Sequence, residues 1–172
     1  MSEQEQKLNI AGSLAKLAEL LRKRFPDYDT GSPAESDRKL VLDARATEAQ
    51  MVEFYSAAFD VPVLDEEEIG LPEQPPEAPL DFFNANDCLV YEWDKGKVTF
   101  LVSSPYKLGN LEYLVSRSWK SELQVRFVRR PFLERMLSKL QSRGEEQEEE
   151  NNAADDENTL RSMAGEIGRA HV

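Results

Sequence analysis

Three groups of side chains in this 172-residue sequence have the types and spacing to do chemistry, and each sits where the local pattern changes. Arg126, Arg129 and Arg130 interrupt the end of an apolar run and stand just before a stretch opened by Pro131. A helix dipole does not favour cations at that end, so the cluster is expected either to dock a partner or to pair with nearby glutamates. Phe82 and Phe83 are adjacent aromatics outside any strong period, and they are expected to form an exposed anchor for a protein partner. Glu66, Glu67 and Glu68 offer oxygen ligands of the kind a divalent ion takes, but consecutive acids in a proline-rich stretch read first as a solvated loop. No metal site and no catalytic residue is assigned. The glycine turns at Asp94–Gly96 and Lys107–Asn110 read as chain reversals, and no G-x-x-x-x-G-K-[ST] loop is present to cradle a triphosphate. The sequence is therefore not expected to be an enzyme by itself.

The single histidine, His171, belongs to the ending EIGRAHV, Glu166–Val172. Those residues can be written in codons as GAG ATC GGA AGA GCA CAC GTC, which matches a widely used sequencing adapter read in frame. They are set aside as an artefact, which leaves no imidazole to act as base or ligand and implies that the natural gene runs on. The lone Cys88 lies in an apolar run, so a packed thiol in a reducing compartment is expected.

Positioning elements follow from periodicity. Leu14, Leu17, Leu20, Leu21 and Phe25 recur at helical spacing, with Ser13 as a possible N-cap and Pro26 as the stop. The segment DYDTGSPAESD reads as a connector, and KLVLDA is too short to assign. Thr47 caps a second helix through EAQMVEFYSAAF. A proline- and glutamate-rich connector then leads to LDFF. From Asp87 the period becomes that of strands: CLVYEW, a DKG reversal and KVTFLVS form a hairpin. A turn and helix follow over SPYKLGNLEYLVSRSWKS, then the strand LQVRFV, then a helix opened by Pro131. Trp93 and Trp119 are expected in the core. The fold class is α+β: a small three-stranded sheet in the order strand, strand, helix, strand, helix, covered by helices and preceded by N-terminal helices. The second and third strands can lie parallel because a helix connects them. The strand order stays open, as does whether the first helix packs on the domain or reaches a neighbour.

Charge is uneven. The formal net charge is -12, which argues against a nucleic-acid partner, yet eight of the acids fall within 145–157 without one base. The expected organisation is a helical arm and connector over 1–45, an α+β docking domain over 46–143, an acidic disordered linker over 144–157, the start of a further region over 158–165, and the adapter over 166–172. No apolar run is long enough for a membrane span, and MSEQEQK is unlike a signal peptide, so a cytoplasmic location is expected.

The succession FYSAAFDVPVLDEEEI and then CLVYEWDKGKVTFLVSSPYKLGNLEYLVSRSWKSELQVRFVRRPFLERML resembles the N-terminal domain of the type II secretion and type IV pilus assembly traffic ATPases. VPVLD stands for the family's "lglPfvdl" segment and SSPYKLGNLEYL for its "aDPldl" turn and helix, with Ser104 before Pro105 where Asp is common. The likeness covers residues 47–141. It implies a docking and regulatory role, an inner-membrane platform protein bound through its cytoplasmic domain, contact with the chain's own ATPase core, and a location peripheral to the inner membrane. ATP and magnesium would belong to a motor further along. The paired arginine, leucine and glycine motifs of the cyclic di-GMP binding members are not reproduced by AGSLAKLAELLRKR, so such sensing is an alternative, as is a freestanding acidic chaperone. A phosphate loop encoded beyond Gly165 favours the motor reading, and an early stop codon the chaperone.

Overall fold

A computed structural model of the chain describes residues 7–75, 79–94 and 96–144. They fall in two units, 1–137 and 138 onward, and of the second only the helical residues 138–144 are described. The suspected linker, the region after it and the adapter all lie outside the described residues, apart from residue 144.

The first unit begins with α1 (Ile10–Arg24), whose buried Leu17 and Leu21 form one stripe. Its cap is Asn9 and not Ser13: the Asn9 side-chain oxygen accepts from the Gly12 N–H at 3.0 Å. Asparagine is as good a cap as serine, and using it adds a turn at the start. The supposed connector contains α2 (Pro33–Leu42), with proline at the first helical position and Leu40 and Asp37 buried. Next comes α3 (Glu48–Ala58), closed at its start by a capping box in which Thr47 and Gln50 satisfy each other's backbone N–H. The question left open for α1 is settled by packing: it lies along α3, with Phe25 edge-on to Phe54 at 6.2 Å between ring centroids.

After a 3-10 turn at Glu66–Glu68 and an extended stretch, α4 (Leu80–Ala85) leads into β1 (Cys88–Asp94) and β2 (Lys97–Val102). Helix α5 (Leu108–Tyr113) runs on as a π turn at Leu114–Ser118, and β3 (Glu122–Phe127) precedes α6, residues 130–144. The sheet order is β1-β2-β3, with β1 antiparallel and β3 parallel to β2. The α+β class with helices packed on a small mixed sheet is thus the observed one.

Register explains the core. Val98, Phe100 and Val102 of β2 stand beside Leu123, Val125 and Phe127 of β3, and all six are buried. Phe100 lies between Phe83 (5.6 Å, interplanar 88°) and Trp119 (6.1 Å, 7°), while Phe127 meets Tyr55 and Phe59. Neither tryptophan is buried as expected: Trp119 is half-buried where it stacks on Phe100, and Trp93 is 50% exposed. The ladder is irregular between Val90 and Glu92, a bulge that bends the strand. Cys88, Leu89 and Val90 before it are all buried, and the strand after it faces solvent.

The outer edge of β1 carries a backbone mimic. The Gln74 carboxamide accepts from the Val90 N–H at 2.9 Å and donates to the Val90 carbonyl at 2.8 Å. One side chain thereby does what a neighbouring strand residue would do, and it blunts an edge open to strand pairing.

Candidate docking site

The carboxyl ends of β2 and β3 carry the polar chemistry of the unit. Arg129 and Arg130 follow β3 directly, and Arg129 ends as the residue before α6, its carbonyl accepting from the Leu133 N–H. Its guanidinium pairs with Glu66, with Nε at 2.8 Å and a terminal nitrogen at 2.7 Å from Oε1. The Arg129 backbone N–H donates to the other Glu66 oxygen at 2.9 Å. A carboxylate thus sits at the start of α6, where the dipole favours it, and it compensates the arginine that the dipole does not. The pair ties the acidic loop to the sheet across 63 residues of sequence. Glu66 is consequently an internal partner of Arg129, and among the described residues no group of three or more acid, histidine or cysteine side chains is placed to hold a metal ion.

Arg130 takes a different place. It lines a cavity of about 60 Å³ between α2 and α3 on one side and the ends of β2 and β3 on the other, together with Arg38, Ser103 and Ser104. Arg126 lies on β3 opposite Leu101, on the sheet face away from Phe127. Phe83 is fully buried against Phe100, so the expectation of an exposed aromatic pair fails for it. Six residues of helix suffice to turn one ring of the pair inward, and Phe82 remains half-buried. The five predicted partner-binding residues therefore do not form one patch. Arg130 and Arg126 keep side chains without an ion pair among the described residues, and Phe82 keeps part of its ring outside.

One cluster had no signature in the sequence. Asp37, only 5% exposed, accepts hydrogen bonds from three tyrosines: Tyr28, Tyr55 at 2.6 Å and Tyr106 at 2.5 Å. These come from the loop before α2, from α3 and from the loop after β2, so one carboxylate joins the helical arm to the sheet. Burial raises the Asp37 pKa, and the three hydroxyl donors oppose that rise. Burial, with Asp37 nearby, pushes the tyrosine pKa values up, so all three remain donors. The only sequence hint was positional: Asp37 lies three residues before buried Leu40, on the inward face of its helix. Cys88 is buried, and desolvation raises its thiol pKa, which leaves it unreactive.

The sequence profile of the MshEN domain matches residues 59–147, just over half of the chain. Among solved structures, the N-terminal domain of XpsE matches over 78% of this chain and 96% of its own, at 15% identity and a TM-score of 0.55. MshE with cdg matches over 74% of this chain and 86% of its own, at 16% identity and a TM-score of 0.50. At such identities the likeness is one of fold. No curated protein matches the sequence.

Proposed function

This chain belongs to the MshEN domain family, the N-terminal domains of type II secretion and type IV pilus assembly ATPases, and from that premise we propose that it docks a motor onto an inner-membrane assembly protein. The observation that carries the reading is the family match over 59–147, which spans all three strands and the ends of β2 and β3 where the free arginines stand. A small domain without a triphosphate loop acts by holding. Tethered to a motor by an acidic linker, it raises the local concentration of whatever it grips and passes on or restrains motion. The ATPase core, its magnesium and its hydrolysis belong to this reading as parts of the parent protein, and the cytoplasmic, membrane-peripheral location follows from the partner. No helix among the described residues is long and apolar enough to cross a membrane. Family membership favours this reading over the acidic chaperone.

The partner surface is assigned to Arg126, Arg130 and Phe82, because Arg129 is already engaged and Phe83 is core. Charge reversal at Arg126 and Arg130 together is expected to weaken capture of the partner's cytoplasmic domain by roughly tenfold, as loss of interfacial charge does, with the melting temperature unchanged. Capture at the wild-type level would remove this surface.

Cyclic di-GMP sensing is a second reading, favoured by the fold shared with MshE, which has been solved with cdg. Against it stands α1, where AGSLAKLAELLRKR lacks the paired arginine, leucine and glycine pattern. Calorimetric titration is expected to give no saturable heat at high micromolar ligand, and a saturable isotherm would restore the sensing role.

A further inference from the structure

The cavity that Arg130 lines has a chemistry of its own, and we propose that it is a binding site for a phosphate group. Four residues with donor side chains line it: Arg38 from α2, Arg130 from the start of α6, and Ser103 and Ser104 from the loop after β2. Among the described residues none of the four has a side-chain hydrogen bond or an ion pair. Arg129 next door, by contrast, is held by Glu66. Donors that line one hollow and have no partner among the described residues are suited to an acceptor from outside.

Place and size narrow the ligand. The cavity lies beyond the carboxyl ends of two parallel strands joined by a helix, where the loops of open α/β sheets leave a crevice for ligands. The first turn of α6 adds its positive end there. Its volume of about 60 Å³ is several times the ~10–15 Å³ that one water needs and well short of the ~300 Å³ of pockets that enclose a whole small molecule. One compact anionic group can enter while its bearer stays outside. Two guanidinium forks and two hydroxyls supplied by different elements suit the several acceptor oxygens of a tetrahedral group better than the two coplanar oxygens of a carboxylate.

Two acids also line the hollow, and they act differently. Asp37 turns its oxygens to the three tyrosine hydroxyls, so it serves as wall. Glu48, half-buried on α3, lines the hollow and its charge opposes an entering anion. The site thus predicts effects of opposite sign from substitutions around one hollow, which a structural role would not produce.

The inference does not depend on the docking reading, and its test needs only the chain itself. Titration of the labelled chain with inorganic phosphate near neutral pH, at constant ionic strength, is followed by backbone amide shifts. Saturable shifts are expected at Ser103, Ser104 and Arg130. Arg38→Gln combined with Arg130→Gln should weaken binding by at least about tenfold, and Glu48→Gln should tighten it by roughly threefold. Ser103→Ala with Ser104→Ala gives a second weakening variant that leaves all charges in place. Phosphoserine run beside inorganic phosphate identifies the source, since tighter binding of the ester means that the group arrives on a phosphorylated bearer. Shifts that never saturate, that chloride reproduces, or that acetate matches in size and place would overturn the proposal, as would Glu48→Gln weakening the binding.

Discussion

Replacement of Asp37 by alanine is expected to cost about 3 kcal/mol, because each buried donor left without an acceptor costs ~1–3 kcal/mol and the carboxylate serves three. Tyr55 is 3% exposed and has nowhere else to turn, whereas Tyr106 is partly exposed and reaches water, which keeps the total below the full sum. For a chain of this length the loss lowers the melting temperature by roughly 10 °C. Asp37→Asn separates hydrogen bonding from charge. The amide keeps one acceptor but points two N–H donors at hydroxyls that are themselves donors, so a smaller loss of about 1–2 kcal/mol follows.

The pH dependence has a definite sign. Burial raises the folded-state pKa of Asp37 above its unfolded value, which for an aspartate is near ~3.9. The folded chain therefore binds that proton more tightly than the unfolded one, and the contribution is complete below the unfolded pKa and fades as pH rises through the folded one. Asparagine does not titrate. The stability advantage of the wild type over Asp37→Asn should be greatest in acid, near the unfolded value, and shrink toward neutrality, while the other carboxylates cancel in the comparison. Thermal melts of both proteins across that range measure it, and an advantage that grows with pH would show that the tyrosine hydrogen bonds outweigh burial.

Why this cluster was invisible in the sequence while the sheet was not is a matter of range. The hairpin, β3, the cap at Thr47 and the helix opened by Pro131 all declare themselves within a few residues, through alternation of two or through a cap and its partner three positions on. Asp37 and Tyr106 are 69 positions apart, and no local period joins them. Between these extremes, α2 was hidden because its proline, aspartate and serine are turn-forming residues that also start helices. Trp93 was misplaced because a bulge shifts the alternation on which its inward assignment depended. The arginines were legible as a cluster, but their division among an internal ion pair, a cavity and the opposite sheet face required Glu66, Arg38 and the register of β3 to be seen together.

The same limit makes Phe82 and Phe83 a controlled experiment, since neighbours of one type have opposite surroundings. Phe83→Ala removes a ring that is fully buried and edge-on to Phe100, and large-to-small changes of this kind cost ~3–5 kcal/mol through lost transfer energy and the cavity left behind. Phe82, half-buried and in contact with Phe83 at 6.4 Å between centroids, loses much less, about 1 kcal/mol, because solvent already reaches it. The two should also part in function: Phe82→Ala weakens partner capture while the melting temperature scarcely moves, and Phe83→Ala impairs capture only as far as it unfolds the chain. Denaturant melts alongside pull-downs at a temperature where both variants are folded make the distinction. Equal stability losses would mean that α4 does not seat Phe83 against the sheet, and unaltered capture by a folded Phe82→Ala would leave the arginines alone to carry the partner surface.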